Sequence, residues 1–464
     1  MKRIVKSILC LVISATISSQ ALAQKQTAPV GGTPKDFKLP EKKEKQLPNG
    51  LRFTLVPYGA VPKADVRLII KTGNVHEAAD EVWLADLTGM LLKEGTTTKT
   101  FKEISKKVAG MGGDIDVSTG MDNVTISGSV LSEFVPELIK VIADITMNPA
   151  MPGSEVERLK ADLKRQLTVQ RSVPQAQASE KFFEMVYKDH PYGRYFPTEA
   201  MLDSYTVEKA RGFYESNFGA KRSVLYVVGK FDEAAVSKAI DESFTSWKEG
   251  PAANFPPVKQ QRTNDIAMID RKDAPQSTIM IGLPTLIPQD QDYVALQVTN
   301  SLLGGSFGSR ITSNIREDKG YTYSPFSTIQ NRKGVSIWYE QADVTSEHTG
   351  ESLREISKEI KRLQTETPSK DELEGIQRYM AGTFVLQNSN PGGIIGQLNF
   401  IDLHGLTDSY MTDRVKNIYA VTPEKVTQMT KDHFKYEDMM LVLVGDKKLL
   451  DKQIKLHTDA QKEK

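Results

Sequence analysis

Ser223-Val224-Leu225-Tyr226-Val227-Val228-Gly229 is an unbroken apolar run closed by a glycine, the pattern of a strand buried on both faces. A run of the same kind recurs as Met440-Leu441-Val442-Leu443-Val444-Gly445, where Leu443-Val444-Gly445 matches Val227-Val228-Gly229 at an offset of 216 residues. A second anchor stands 211 residues apart: Thr88-Gly89-Met90-Leu91 against Thr299-Asn300-Ser301-Leu302. Two anchors nearly in register over that distance make internal duplication a better reading than a chance succession of helices and strands.

The elements around each anchor repeat in the same order. In the first half, strands are predicted over 51–56, 66–71, 114–118 and 124–129, and helices over 79–93, 101–109, 133–147, 154–171, 177–188 and 206–217. The anchor strand 223–228 and a helix over 233–247 close that half. Glu249 to Pro257 has the Pro/Gly-rich composition of a linker. Beyond it the order restarts, with strands at 266–269 and 277–282, a helix over 293–303, and strands at 322–329 and 334–339. Long helices and the strand 440–444 follow. The predicted class is α+β, two homologous domains each with an antiparallel-rich sheet packed by helices: 46–248 and 263–464, joined by 249–262.

A chain of 464 residues exceeds what one hydrophobic core usually serves, in keeping with two domains. Its 60 basic and 59 acidic side chains leave no positive field for nucleic acid, and no apolar run reaches the ~20 residues of a membrane span. Lys2, Arg3 and Lys6, the apolar stretch Ile8–Ile17 and the small residues Ala21-Leu22-Ala23 together read as a secretory signal peptide, 1–23, cut after Ala23. Its removal takes the formal charge from +1 to −2 and takes away Cys10, the one cysteine, leaving no disulfide framework and no thiol chemistry. A periplasmic or secreted location follows, and residues 24–45 read as a flexible polar lead-in.

Unaided residue chemistry offers no self-evident active centre. The six histidines (His76, His190, His348, His404, His433, His457) include no pair at i, i+3 or i, i+4 spacing and read as structural or surface residues. The Gly-x-Ser-x-Gly match at 304–308 follows a helical pattern where a nucleophile elbow needs a strand-to-helix turn, so Ser306 is discounted as a nucleophile. Two features stand out. Gly304-Gly305-Ser306-Phe307-Gly308 is a glycine-rich turn that would let a ligand approach the backbone, although a tight interhelix loop explains it equally. Arg316 and Tyr323 flank Gly320, which should end a helix and turn the phenol hydroxyl back toward the guanidinium. Such a pair can hold a carbonyl or carboxylate, and by spacing alone it can as well cap a helix.

With these stretches in place the sequence resembles the insulinase-like M16 zinc peptidases, in particular the short two-domain subfamily that includes the mitochondrial processing peptidases. The resemblance runs through Pro48-Asn49-Gly50-Leu51, Leu91-Leu92-Lys93-Glu94-Gly95-Thr96, His190-Pro191-Tyr192-Gly193 with Thr198, the glycine-rich loop and the Arg316/Tyr323 pair. The family places His-x-x-Glu-His before the Glu-Gly-Thr segment and a further glutamate ligand about eighty residues on. Here those positions hold Asp86, Gly89, Met90 and, on the helix over 154–171, Gln166. Glycine cannot be a base, methionine is a poor substitute for imidazole on zinc, and Gln166 carries no charge. The resemblance therefore implies a chain that binds no catalytic zinc or other cofactor and cleaves nothing alone. It further implies a zinc-bearing M16 partner subunit, a peptide substrate, and a clam-like chamber to which this chain brings Arg316 and Tyr323 in trans. The alternative is a stand-alone peptide-binding or scaffold protein of the same fold.

Overall fold

Strand β6 (Ser223–Gly229) lies inside a six-stranded sheet, with every one of its residues buried, as an apolar run without alternation requires. The structure, a computed structural model, describes residues 37–259 and 263–462. The signal peptide, residues 24–36 of the lead-in and residues 260–262 of the linker lie outside the described residues.

The first sheet runs β1-β2-β6-β3-β5-β4, built from β1 (Lys43–Gln46), β2 (Arg52–Pro57), β3 (Lys63–Ile70), β4 (Asp114–Thr119) and β5 (Val124–Leu131). The second runs β7-β11-β8-β10-β9, from β7 (Ile266–Asp270), β8 (Gln276–Thr285), β9 (Phe326–Arg332), β10 (Val335–Thr345) and β11 (Met440–Gly445). In each, the anchor strand pairs parallel on one side (β6 with β2, β11 with β7) and antiparallel on the other (β6 with β3, β11 with β8). The two further antiparallel pairs, β3·β5·β4 and β8·β10·β9, also correspond. One topology is therefore used twice, with β1 as an addition to the first sheet.

Helices cover both faces of each sheet, and the second cover is exchanged between halves. Val66, Leu68 and Ile70 of β3 face helices of their own half, among them α1 (Leu84–Lys93) and α2 (Val135–Met147). The opposite face, with Ile69, Val224, Tyr226 and Val228, packs against Ile394, Ile395 and Leu398 from the C-terminal half. Reciprocally, Ile337, Met440, Val442 and Val444 of the second sheet pack against Phe182, Phe183 and Val186 of the N-terminal half. The helices involved are α4 (Pro174–Tyr187), which follows α3 (Val156–Ser172), and α8 (Pro391–His404). Asp402 of α8 adds ion pairs to Arg52 and Lys71, each at 2.6 Å. The described residues accordingly belong to one compact unit.

Three local expectations change. Lys43–Gln46, mostly assigned to the flexible lead-in, forms strand β1, paired antiparallel with β2. Helix α1 starts at Leu84 rather than Ala79 because Trp83 sits at φ 72° and the Glu77 carboxyl accepts the Trp83 (3.1 Å) and Ala85 (2.8 Å) amides from outside the helix. Strand β9 starts at Phe326 rather than Thr322, which is held by an isolated bridge to Val344 and by a 2.6 Å hydrogen bond from its hydroxyl to Asp343 O.

Candidate functional site

Three of the four positions that answer to the family's metal site gather around α1. Asp86 Oδ2 accepts a 2.6 Å hydrogen bond from Asn74 Nδ2, whose other bond goes to Glu77 Oε1 at 3.1 Å. Glu77 is buried, and that burial, with the neighbouring Asp86 carboxylate second, pushes its carboxyl up to about 8. Loss of water likewise raises Asp86 to about 6, against the bond from Asn74. Gly89 presents only its Cα, and a Cβ there would stand 2.4 Å from Thr119 Oγ1, which itself donates to Ala85 O at 3.3 Å. Met90 is half-buried against the apolar core. Gln166 is exposed on α3 and makes no hydrogen bond to this cluster.

Zinc needs about four convergent donors, three of them from protein in a catalytic site. Both Glu77 oxygens are already occupied by amides, Asp86 is tied to Asn74, and Thr119 fills the space beside Gly89. The residues present do not fit a catalytic zinc ion. Among the described residues no group of three His, Cys, Asp or Glu side chains is placed to hold a metal. Two of the histidines are tied into the fold: His190 Nδ1 accepts the Tyr192 amide, and the buried His457 ring bonds Tyr436 at 2.7 Å.

The second-half features do come together. Helix α5 (Tyr293–Leu303) ends at Gly304, the loop 304–309 follows, and a π-helical turn spans Ser313–Asp318, closed at Gly320 with φ +67°. Arg316 rises from that turn, and its guanidinium carbon lies 4.2 Å from the centroid of the Phe307 ring and 5.2 Å from that of Tyr323. Sequence reasoning aimed the Tyr323 hydroxyl at Arg316; the structure presents the ring instead, because the chain stays irregular until Phe326. An arginine between two aromatic rings is held by cation–π attraction; its Nε pairs with Glu317 Oε1 at 3.2 Å, and the terminal N–H groups are left to bond a ligand.

These groups line one open groove of about 410 Å³ with Gly304, Gly305, Ser306, Phe326 and Tyr379. Phe307 and Tyr323 are 71% and 79% exposed, unusual for large rings. Gly308 closes the loop without lining the groove. Phe326, and Tyr379 on α7 (Lys370–Gln387), are groove residues that the sequence did not mark; nothing in the helical pattern around 379 sets that tyrosine apart.

Residues 58–196 match the family model described as insulinase (peptidase family M16), and residues 204–380 match the one described as peptidase M16 inactive domain. This chain belongs to the M16 peptidase family. The second match carries both the glycine-rich loop and the Arg316/Tyr323 pair. Among M16 relatives, an uncharacterized zinc protease of Rickettsia felis is 25% identical over 335 residues, 71% of this chain and 79% of that one. The uncharacterized zinc protease YmxG of Bacillus subtilis is 22% identical over 404 residues, 86% and 96% of the two chains. In fold, the chain is similar to a peptidase M16 inactive domain from Pseudomonas fluorescens (TM-score 0.80, 22% identity, 87% of this chain and 98% of that one). It is also similar to the first half of the periplasmic protease PqqL of Escherichia coli (TM-score 0.72, 14% identity, 93% and 99%).

Seen as an M16 chain, His190-Pro191-Tyr192-Gly193 is a structural corner: Tyr192 donates to the buried Asp122 at 2.5 Å, and burial, the largest cause, raises that carboxyl above its ordinary value. No helix among the described residues is long and apolar enough to cross a membrane.

Proposed function

We propose that this M16 chain is the non-catalytic, substrate-binding subunit of a secreted heterodimeric metallopeptidase that cleaves peptides in an enclosed, clam-like chamber. Zinc would be carried by the partner subunit and none by this chain, whose signal peptide directs it to the periplasm. The observation that carries the reading is an asymmetry between halves. The metal positions are substituted and packed over by Thr119 and Asn74, while Arg316 is held in an open groove by Phe307 and Tyr323.

In that role the guanidinium donates to a peptide carbonyl near the scissile bond and stabilises the charge that develops there. Loss of one such donor costs about 10²–10³ in rate at a catalytic centre. The Gly304–Gly308 loop lets the peptide backbone approach. The test is reconstitution of the mature chain with a zinc-bearing M16 subunit and assay on unstructured peptides. Arg316→Ala is expected to lower kcat/KM by roughly tenfold or more with assembly intact. An unchanged rate would overturn the role of Arg316. Failure of every zinc-bearing sibling to assemble with this chain would favour a stand-alone peptide-binding protein.

A further inference from the structure

Beside the Arg316 groove, and sharing Gly305 and Tyr379 with it, lies a second cavity of about 530 Å³. It is open to solvent and lined by α5, the edge strand β9, α7, α8 and α9 (Arg414–Tyr419), and its volume falls in the ordinary range of small-ligand sites. Its wall is rich in amides and hydroxyls and contains no acidic side chain; Arg414 is its one charged residue.

The amides are already oriented from behind. Asn300 Oδ1 accepts from Trp338 Nε1 and from Ser327 Oγ, both at 2.7 Å. Asn331 Oδ1 accepts from Tyr293 at 2.9 Å and Ser336 at 2.6 Å, and Gln297 Oε1 accepts from Arg414 at 2.6 Å. Asn331 Nδ2 also donates to Ile329 O at 3.4 Å and Gln297 also bonds the Tyr410 hydroxyl, whereas the N–H end of Asn300 remains and lies against Gly305 on the rim, 2.5 Å from where a Cβ of that glycine would stand. Ser301, 6% exposed and in the wall, has a hydroxyl with no partner. Among the described residues no carboxylate lies within ion-pair distance of Arg414, whose guanidinium carbon sits 5.4 Å from the centroid of the Tyr410 ring. The cavity thus offers the Asn300 amide N–H, the Ser301 hydroxyl and the positive charge of Arg414, between aromatic walls at Tyr379, Phe400 and Tyr410.

We propose that this cavity binds an organic carboxylate. Arg414 and the Asn300 amide donate to the carboxylate oxygens, the Ser301 hydroxyl adds a third donor, and the rings enclose the carbon skeleton. The carboxylate has two sources, the C-terminus of a peptide lying in the adjoining groove or a free small acid. The first rests on the peptide-binding function proposed above; the second does not.

The test is calorimetric titration of the mature chain with N-acetylphenylalanine, its primary amide, and a hexapeptide ending in phenylalanine with a free or an amidated C-terminus. The acid forms are expected to bind at least tenfold more tightly than the amides. Arg414→Gln is expected to erase that preference, and Arg414→Lys to retain part of it, which separates lost charge from lost folding. Equal affinity for acid and amide, an unaltered preference in Arg414→Gln, or no binding by any of the four compounds would overturn the proposal. A peptide acid that binds tenfold more tightly than N-acetylphenylalanine, and is weakened by Arg316→Ala, identifies the peptide terminus as the source. Equal binding of both acids, indifferent to Arg316→Ala, identifies the free acid; the cavity assignment then stands while the peptide reading of the groove falls.

Discussion

At Gly89 a side chain would have to displace Thr119, whose hydroxyl stands 2.4 Å from the site of a Cβ. The threonine is β-branched and bonded to Ala85 O, so turning it away costs both a rotamer and a hydrogen bond. Gly89→Ala should therefore destabilise the fold by about 1–3 kcal/mol despite the better helix propensity of alanine. In a double-mutant cycle with Thr119→Ala, chemical denaturation should show the two substitutions strongly non-additive; additive effects would mean that Thr119 is not the obstacle. Glu77 gives a second prediction at this scale. Its carboxyl is raised from 4.5 to about 8, so the folded state holds the proton more tightly than the unfolded state. That contribution is complete below about pH 4.5 and is lost as pH rises through 8. Glu77→Gln, which cannot ionise, should flatten the fall in Tm between pH 5 and 8; an unchanged slope would assign the pH dependence to other groups.

Among the elements, those whose register a buried face dictates were legible in the sequence. The hairpin β4–β5 alternates, β6 and β11 are continuous apolar runs, and the helix over 293–303 was placed end to end from its 3.6-residue period. Strand β1 was not legible, because Lys43-Glu44-Lys45-Gln46 is exposed along its whole length and is held by pairing with β2 and by a Lys43–Glu233 ion pair at 2.7 Å. The same limit applied at the site. Arg316, Tyr323 and the loop were readable as a local string, but Glu77, Thr119 and Tyr379 arrive from elements whose own patterns carry no mark of the encounter. The end of α5 shows how tightly the loop is seated: a Cβ on Gly304 would meet Glu340 Oε2 and Ser327 Oγ, each at 2.6 Å. Glu340 is fully buried, neither of its oxygens has a partner, and burial raises its carboxyl well above the ordinary value. Gly304→Ala should then cost about 1–3 kcal/mol and loosen the loop, read as a lower Tm with faster amide exchange over 304–309. Exchange unaltered from the parent would show that the contact does not anchor the loop.

For the whole molecule, duplication alone would give two separable domains, and the exchanged helices prevent that. The apolar faces of β6 and β11 are each covered by the opposite half, and Asp402 ties Arg52 and Lys71 to α8. Thermal unfolding of residues 37–464 should therefore be a single calorimetric transition, with the van't Hoff and calorimetric enthalpies in agreement. Two resolved transitions would show that the halves melt independently in spite of the exchange.

The exchanged covers also make the covalent join between the halves redundant. A cut within the linker segment 251–257 removes no strand pairing and neither helix cover, so the nicked chain should migrate as one particle until denaturant is added. Two polypeptides translated separately, one ending and the other beginning at that point, should find each other and rebuild the parent, since each carries the lid that the other lacks.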